Sequence, residues 1–441
     1  MGMDGIFRKR IKSVIVNHDK NTATCASVRM PLPGEVAISM SQHIGAPCTP
    51  LVKKRDYVKV GQVIGDSDAP FSAPIHASVS GTVKDITTVR AAMGGTNQVV
   101  VIEPDGLQEI HESVAPPKVT NTQEFIEAVH QSGLVGLGGA GFPTHIKFNS
   151  PNLANIDTLV VNGAECEPYI TTDHRLMVEE PQSVIDGIED VMKYLDIAQC
   201  VIGVEENKPD GVLALRNEIE RRGLQDAVEV KVLKSTYPQG AEKVLLYNCT
   251  GKTVPFGKRM GDIGVALSNI TTIAYVGTYL RTGMPLVERR ITIDGDAVRT
   301  PQNLIVPIGT RIADVVEACG GYAQEPKKIL MGGPMMGRAV YSDELPIMKQ
   351  NNAILALGSE RSYLPEETAC IKCTRCLTVC PVDLMPVHLI EAYENNDAQR
   401  LDQLRVMECI ECGACSFICP AHRPLAFSNK MGKGLVKAVK K

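Results

Sequence analysis

Hydrophobic and polar positions change rhythm several times along the chain, and each change marks a module. From 36 to 102 short apolar runs alternate with Gly and Pro, as in VKVGQVIG and SAPIHASVSGTVKDI. This predicts short strands separated by tight turns, a small all-β module. APPKVTN at 115–121 reads as a linker, and Phe125, Ile126 and Val129 at helical spacing predict a helix over 122–131. Beyond a glycine-rich stretch the pattern gives a strand at 158–161, a helix at 182–194, a strand at 200–204, a helix at 211–222 and a strand at 227–233. That alternation predicts an α/β layer domain with a largely parallel sheet. Residues 289–333 read as a strand pair, a turn and an amphipathic helix, and 358–368 as a polar linker. After the linker, Leu389, Ala392, Leu401 and Leu404 have helical spacing, and Lys430, Lys433, Lys437, Lys440 and Lys441 form a basic tail.

Composition narrows the classes. At roughly 150 residues per domain, 441 residues make about three domains, and 44% hydrophobic with 22% charged residues excludes wholesale disorder. Lys plus Arg at 46 against Asp plus Glu at 50 leaves -4, so no basic field is present to hold nucleic acid. The most apolar long run, 263–280, is interrupted by Ser268, Asn269, Thr271, Thr272 and Tyr275, too polar for a helix with lipid on all sides. Residues 1–16 carry charges and no apolar signal core, and the sparse cysteines before 370 are no disulfide scaffold; a reducing cytoplasm is expected.

Eight of the fourteen cysteines fall between Cys370 and Cys419. The pattern C-x2-C-x2-C-x3-C-P occurs twice: Cys370, Cys373, Cys376 and Cys380 before Pro381, then Cys409, Cys412, Cys415 and Cys419 before Pro420. Two-residue gaps let three soft thiolates converge from one loop onto an iron-sulfur cube. The pattern resembles two-cluster ferredoxins, in which the cysteine before the proline serves the other cluster. The resemblance implies one [4Fe-4S] cluster on Cys370, Cys373, Cys376 and Cys419 and a second on Cys409, Cys412, Cys415 and Cys380, in an α-helical variant of the ferredoxin fold. Two four-cysteine zinc sites are the plain alternative.

Gly136, Gly138, Gly139 and Gly141 formally satisfy G-x-G-x-x-G, but a helix precedes them and Pro143 follows, so the dinucleotide fingerprint fails its context. The alternatives are a plain turn-rich loop or a loop whose amides approach a flat ring or a phosphate, with Lys147 near enough to neutralise the latter.

GLGGAGFPTHIK at 136–147, followed by NGAECEP at 162–168, TYPQGAEK at 236–243 and LSNITT at 267–272, resembles the flavin and NADH site of the respiratory complex I flavoprotein subunit. The resemblance implies that Gly136, Gly138, Gly139 and Gly141 line non-covalent FMN and the nucleotide, with Phe142 stacking on adenine. Asn162 and Asn269 would hydrogen-bond FMN, and Lys147 would sit near its phosphate. Glu165, Glu167 and Glu242 would face NAD(H), and Tyr237 would close the pocket. Leu137, Ala164 and Ala241 depart from that family's arginine, aspartate and glutamate.

APIHASVSGTV resembles half of a biotinyl or lipoyl barrel-sandwich domain, without the carrier lysine, and 289–333 resembles the β-grasp soluble-ligand-binding module. The expected fold is multidomain α/β and α+β. It comprises a lead segment 1–35, a barrel-sandwich 36–114, an FMN/NADH-binding α/β domain 115–288, a β-grasp 289–357, a two-cluster ferredoxin-like module 358–429 and a basic tail 430–441. In this order the modules resemble the C-subunit family of Rnf ion-translocating electron-transport complexes. The resemblance implies an oxidoreductase component exchanging electrons between NAD(H) and ferredoxin, coupled to Na+ or H+ movement. Its partners would be integral membrane and ferredoxin-like subunits, at the cytoplasmic face of the membrane. The similarly built cobalamin reductases of microcompartments and a non-catalytic electron-relay adaptor are the alternatives.

Overall fold

The computed structural model describes residues 11–91 and 94–440; the first ten residues of the expected lead segment and Lys441 of the expected tail lie outside the described residues. The architecture is the expected mixture of α/β and α+β modules. At its centre four strands lie parallel in the order Val228–Leu233, Gln199–Glu205, Thr158–Gly163, Val265–Asn269. Leu159, Val160 and Val161 are fully buried, as expected of a strand covered on both faces. The first three strands step outward in one direction and the fourth returns to the other side of the first. The crevice outside the carboxyl ends of Thr158–Gly163 and Val265–Asn269 is therefore a topological switch point, where open α/β sheets bind ligands. Asn162 and Asn269 are register partners there.

Two helices, Pro181–Leu195 and Ile270–Thr282, pack on this sheet with their backbones in near contact. A Cβ added at Gly187 would lie 1.9 Å from the carbonyl oxygen of Ile273. Gly187→Val must push the helices apart, and overpacking of this kind costs about 1–3 kcal/mol or more. Thermal unfolding should show a clear loss of Tm.

Residues 36–104 form two small antiparallel sheets, one of four strands and one of three. The β-grasp sheet runs over Glu288–Asp294, Gln302–Pro307, Lys328–Met331, Arg338–Val340 and Ala353–Leu357, with helix Ile312–Glu317. Its sixth strand, Val28–Arg29, pairs parallel with Leu304 and Ile305 and comes from the segment expected to be a simple lead. This departure has a physical cause. The edge of a sheet offers unpaired backbone groups, and residues 28–29 satisfy them. Upstream, Val14 bridges Tyr237 of the α/β domain.

Residues 358–440 contain five α-helices, one short 3-10 helix and no strand, among the described residues. The two cysteine motifs fold alike. Lys372, Thr374 and Asp383 adopt positive φ (55°, 62°, 55°), matched at Glu411, Gly413 and His422 (56°, 80°, 52°). The amides of Lys372 and Glu411 donate to the sulfurs of Cys370 and Cys409, each at 3.4 Å. The basic tail needs correction too, since most of it is the second half of helix Leu425–Val439. Val436 is buried, Lys433 Nζ meets Glu411 at 2.8 Å, and Lys440 Nζ meets Asp402 at 2.8 Å. Among the described residues no helix is long and apolar enough to cross a membrane.

Candidate functional site

The glycine loop overhangs the switch-point crevice. A bridge between Val135 and Pro143 pinches its base, the Gly136 amide donates to Phe142 O at 2.8 Å, and the Gly141 amide donates back to Gly136 O at 3.1 Å. Leu137 N donates to Thr272 Oγ1 at 2.9 Å, tying the loop to the first turn of Ile270–Thr282. Leu137, where the resembled family has arginine, points into the core, while Gly138, Gly139 and Ala140 at the tip are exposed. A Cβ at Gly138 would come within 3.3 Å of Asn269, whereas one at Gly139, with φ +107°, would meet no protein atom within 4 Å. Close approach of backbone to a ligand is what such positions permit.

Asn269 caps its helix, its side-chain oxygen accepting from Thr272 N at 3.2 Å, and its Nδ2 donates to Asp173 at 2.8 Å. Asn162 donates to Gly240 O at 2.8 Å and accepts from Ala164 N at 3.1 Å. Both amides are held by the protein itself and shape the crevice floor. Lys147 and Glu242, expected at the phosphate and at the nicotinamide, form an ion pair of 2.8 Å, and Phe142 meets Phe71 of the barrel-sandwich edge-to-face at 6.1 Å.

Three expected roles are corrected. Glu165 turns inward, accepting from Thr172 Oγ1 at 3.1 Å and from the amides of Asp173 at 2.8 Å and His174 at 3.3 Å, where its charge faces the positive end of helix Thr172–Glu179. Glu167 reaches the β-grasp module, accepting from Met335 N at 3.0 Å. Tyr237 is 1% exposed and donates its phenol to Cys412 O at 2.6 Å, with the Glu167 carboxyl beside it, so it is turned toward the cysteine module. Lys20 holds the acidic turn in this pose by donating to the carbonyls of Glu165 and Glu167, each at 2.8 Å.

Burial raises Glu167 to about 7, against the opposing pull of the Met335 and Met336 amides. The folded chain therefore keeps a proton that the unfolded chain gives up near the usual 4.5, and stability falls as pH rises from about 4.5 to 7. Glu167→Gln should flatten that slope and gain on the parent above pH 7, as urea unfolding across the window will show.

No motif or spacing singles out Asp173 or Arg289. Asp173 binds Asn269 and Thr271, and burial, then the charge of Glu165, lifts its carboxyl to about 6. Arg289, from the β-grasp sheet, donates Nη2 to Leu137 O at 3.2 Å, and its burial lowers it to about 10.

Cys380, Cys409, Cys412 and Cys415 line one enclosed space beside Ala414, Ala426 and Asn429. Burial, and after it the neighbouring Cys409 and Cys380, push Cys412 up to about 11; burial, then Cys412, Cys409 and Cys380, raise Cys415 further. Burial also raises Cys376, with Cys419 and Cys373 adding to it. Clustered thiols that resist ionising together suit a cationic iron-sulfur core that would take them as thiolates. Among the described residues no three His, Cys, Asp or Glu side chains converge on a position for one metal ion.

Family models match along the chain in one order: the RnfC barrel sandwich hybrid domain at 10–107, the Nuo51 FMN-binding domain at 129–278, the SLBB domain at 290–339 and the 4Fe-4S dicluster domain at 363–420. Among solved structures, a chain of an NAD+-reducing [NiFe]-hydrogenase in the air-oxidized state aligns with a TM-score of 0.51 at 15% identity, over 72% of this chain and 63% of that one, a likeness of fold. The C subunit of the Na(+)-translocating ferredoxin:NAD(+) oxidoreductase complex of Acetobacterium woodii is 41% identical over 91% of this chain and 90% of its own. The proton-translocating counterpart of Clostridium ljungdahlii is 41% identical over 81% and 78%, and the C subunit of the ion-translocating oxidoreductase complex of Rhodobacter capsulatus is 37% identical over 95% and 81%. By these similarities the chain belongs to the C-subunit family of ion-translocating ferredoxin:NAD+ oxidoreductase, or Rnf, complexes.

Proposed function

We propose that the chain is the NAD(H)-reactive subunit of such a complex, exchanging electrons between NAD(H) and ferredoxin by way of other subunits while the assembly moves Na+ or H+. The observation that carries this reading is the presence, in one chain, of a glycine-roofed switch-point crevice and two cysteine sets, one of them tied to the crevice's domain through Tyr237. FMN, when bound, would accept two electrons together and release them singly, the conversion needed between a nicotinamide and iron-sulfur clusters.

The exposed amides around Gly138 and Gly139 would approach the flavin ring, and Gly136 and Gly141 would hold the loop's shape. Asn162 and Asn269 would fix the floor, Lys147 would turn toward the FMN phosphate, and Phe142 and Glu242 would border the nicotinamide nucleotide. Cys380, Cys409, Cys412 and Cys415 would hold one [4Fe-4S] cluster and Cys370, Cys373, Cys376 and Cys419 the other. No side chain need act as an acid or base; the protein positions the reactants and excludes water. The chain would lie peripherally on the cytoplasmic face of the membrane, beside integral membrane and ferredoxin-like subunits.

Anaerobic protein should contain iron, sulfide and FMN, and NADH should bleach the flavin and iron-sulfur absorbance. Preparations that hold iron but no flavin and ignore NADH would overturn the reading.

A further inference from the structure

A short path of hydrogen bonds and covalent chain joins the crevice to one cysteine set. It begins at Asn162 on the crevice floor, whose amide donates to Gly240 O at 2.8 Å. Three residues earlier in the chain, the phenol of Tyr237 donates to Cys412 O at 2.6 Å. Tyr237 is locked from both sides: its amide and carbonyl pair with Val14 at 2.8 Å, and its ring lies in an apolar cluster with Val14, Cys166, Val379 and Ala414. Lead segment, flavin domain and cysteine module therefore meet at this ring.

The two cysteine sets are placed differently with respect to that junction. In the set containing Cys412, residues Cys380, Cys412 and Cys415 are each 8% exposed. In the other set Cys370 and Cys373 are exposed to solvent. One set faces the flavin domain and the other faces outward.

We propose that Tyr237 is the positioning residue that seats the Cys380, Cys409, Cys412 and Cys415 set against the flavin crevice, making it the first acceptor and the Cys370, Cys373, Cys376 and Cys419 set the exit. This deepens the function proposed above and rests on it. With FMN and both clusters bound, each passage would move one electron: the flavin would be oxidised by one, the cluster held by the inner set would be reduced by one, and the cluster held by the outer set would then take that electron, with no bond broken. The phenol also points the positive end of its O–H dipole at the Cys412 peptide, which favours added negative charge on the inner set. Hydrogen bonding around a cluster is one of the terms that sets its reduction potential.

The test is Tyr237→Phe in the full chain, loaded anaerobically with iron, sulfide and FMN. Iron and flavin contents and the rate of flavin bleaching by NADH should match the parent. The midpoint of one electron-paramagnetic-resonance signal should fall while the other stays put, and reduction of the clusters after the flavin should slow on the order of tenfold, as for loss of one buried hydrogen bond. The shifted signal should be the one abolished by Cys412→Ser. Unchanged midpoints and rates, or a shift in the signal abolished by Cys373→Ser, would overturn the proposal. If the phenylalanine variant loses iron, a ring-fluorinated tyrosine at position 237 keeps the ring and strengthens the donor. It should raise the same midpoint, and no change would be equally fatal. A parent protein that NADH does not bleach would instead remove the underlying functional reading.

Discussion

Cys380→Ser and Cys412→Ser should each abolish the same electron-paramagnetic-resonance signal, although Cys380 lies in the first cysteine motif and Cys412 in the second. Cys419→Ser and Cys373→Ser should each abolish the other signal. Iron should fall from about eight to about four atoms per chain in every case, as expected for one cube lost of two. The basis is spatial. Cys380 lines the same enclosed space as Cys409, Cys412 and Cys415, whereas the thiol of Cys376 is raised by Cys373 and Cys419 after burial. Serine is nearly isosteric but supplies a hard oxygen where the iron of the cube prefers a soft thiolate. If Cys380→Ser abolished the signal lost with Cys373→Ser, each motif would serve its own cluster and the crossed arrangement would be wrong.

Gly139→Ala should empty the flavin crevice while leaving the fold intact. The added methyl meets no protein atom within 4 Å, so a group bound against the loop is what it would disturb. The positive φ of +107° adds backbone strain on the order of 1–3 kcal/mol. Gly223→Ala supplies the control, since Gly223 also has positive φ and open surroundings but terminates helix Pro209–Arg222, on a surface outside the glycine loop. Both variants should lose comparable stability in thermal unfolding. Only Gly139→Ala should lose bound FMN, by more than about tenfold in affinity, the factor corresponding to 1.4 kcal/mol. Equal flavin retention in the two would show that the loop does not roof the flavin.

Much of the local structure is readable in the chain's pattern because it depends on neighbours a few residues away. Phe125, Ile126 and Val129 predict a helix over 122–131, and Thr122–Gln131 is one. The β-α alternation predicts a parallel sheet, and four parallel strands form it. Failure of the glycines to follow a strand excludes the dinucleotide fingerprint, and in the structure they form a loop pinched by Val135 and Pro143. Side-chain direction in irregular segments is harder to read. NGAECEP displays two acids, but Lys20, about 145 positions away, grips the carbonyls beside them and turns both side chains inward. The lysines of 430–440 look like a solvated tail until the apolar positions between them, Val436 among them, find Leu401 and its neighbours.

The two cysteine loops, the glycine loop and the order of modules are thus written into the primary structure, where spacing, φ preference and periodicity act within a few residues. The return of the fourth strand beside the first, which opens a crevice at Asn162 and Asn269, is a product of the folded chain. So is the way Val14 and Val28–Arg29 stitch separate modules together, and the departure of Tyr237 from the pocket toward Cys412. Those outcomes depend on which distant groups satisfy a buried carbonyl or an open sheet edge, and residues hundreds of positions apart supply them.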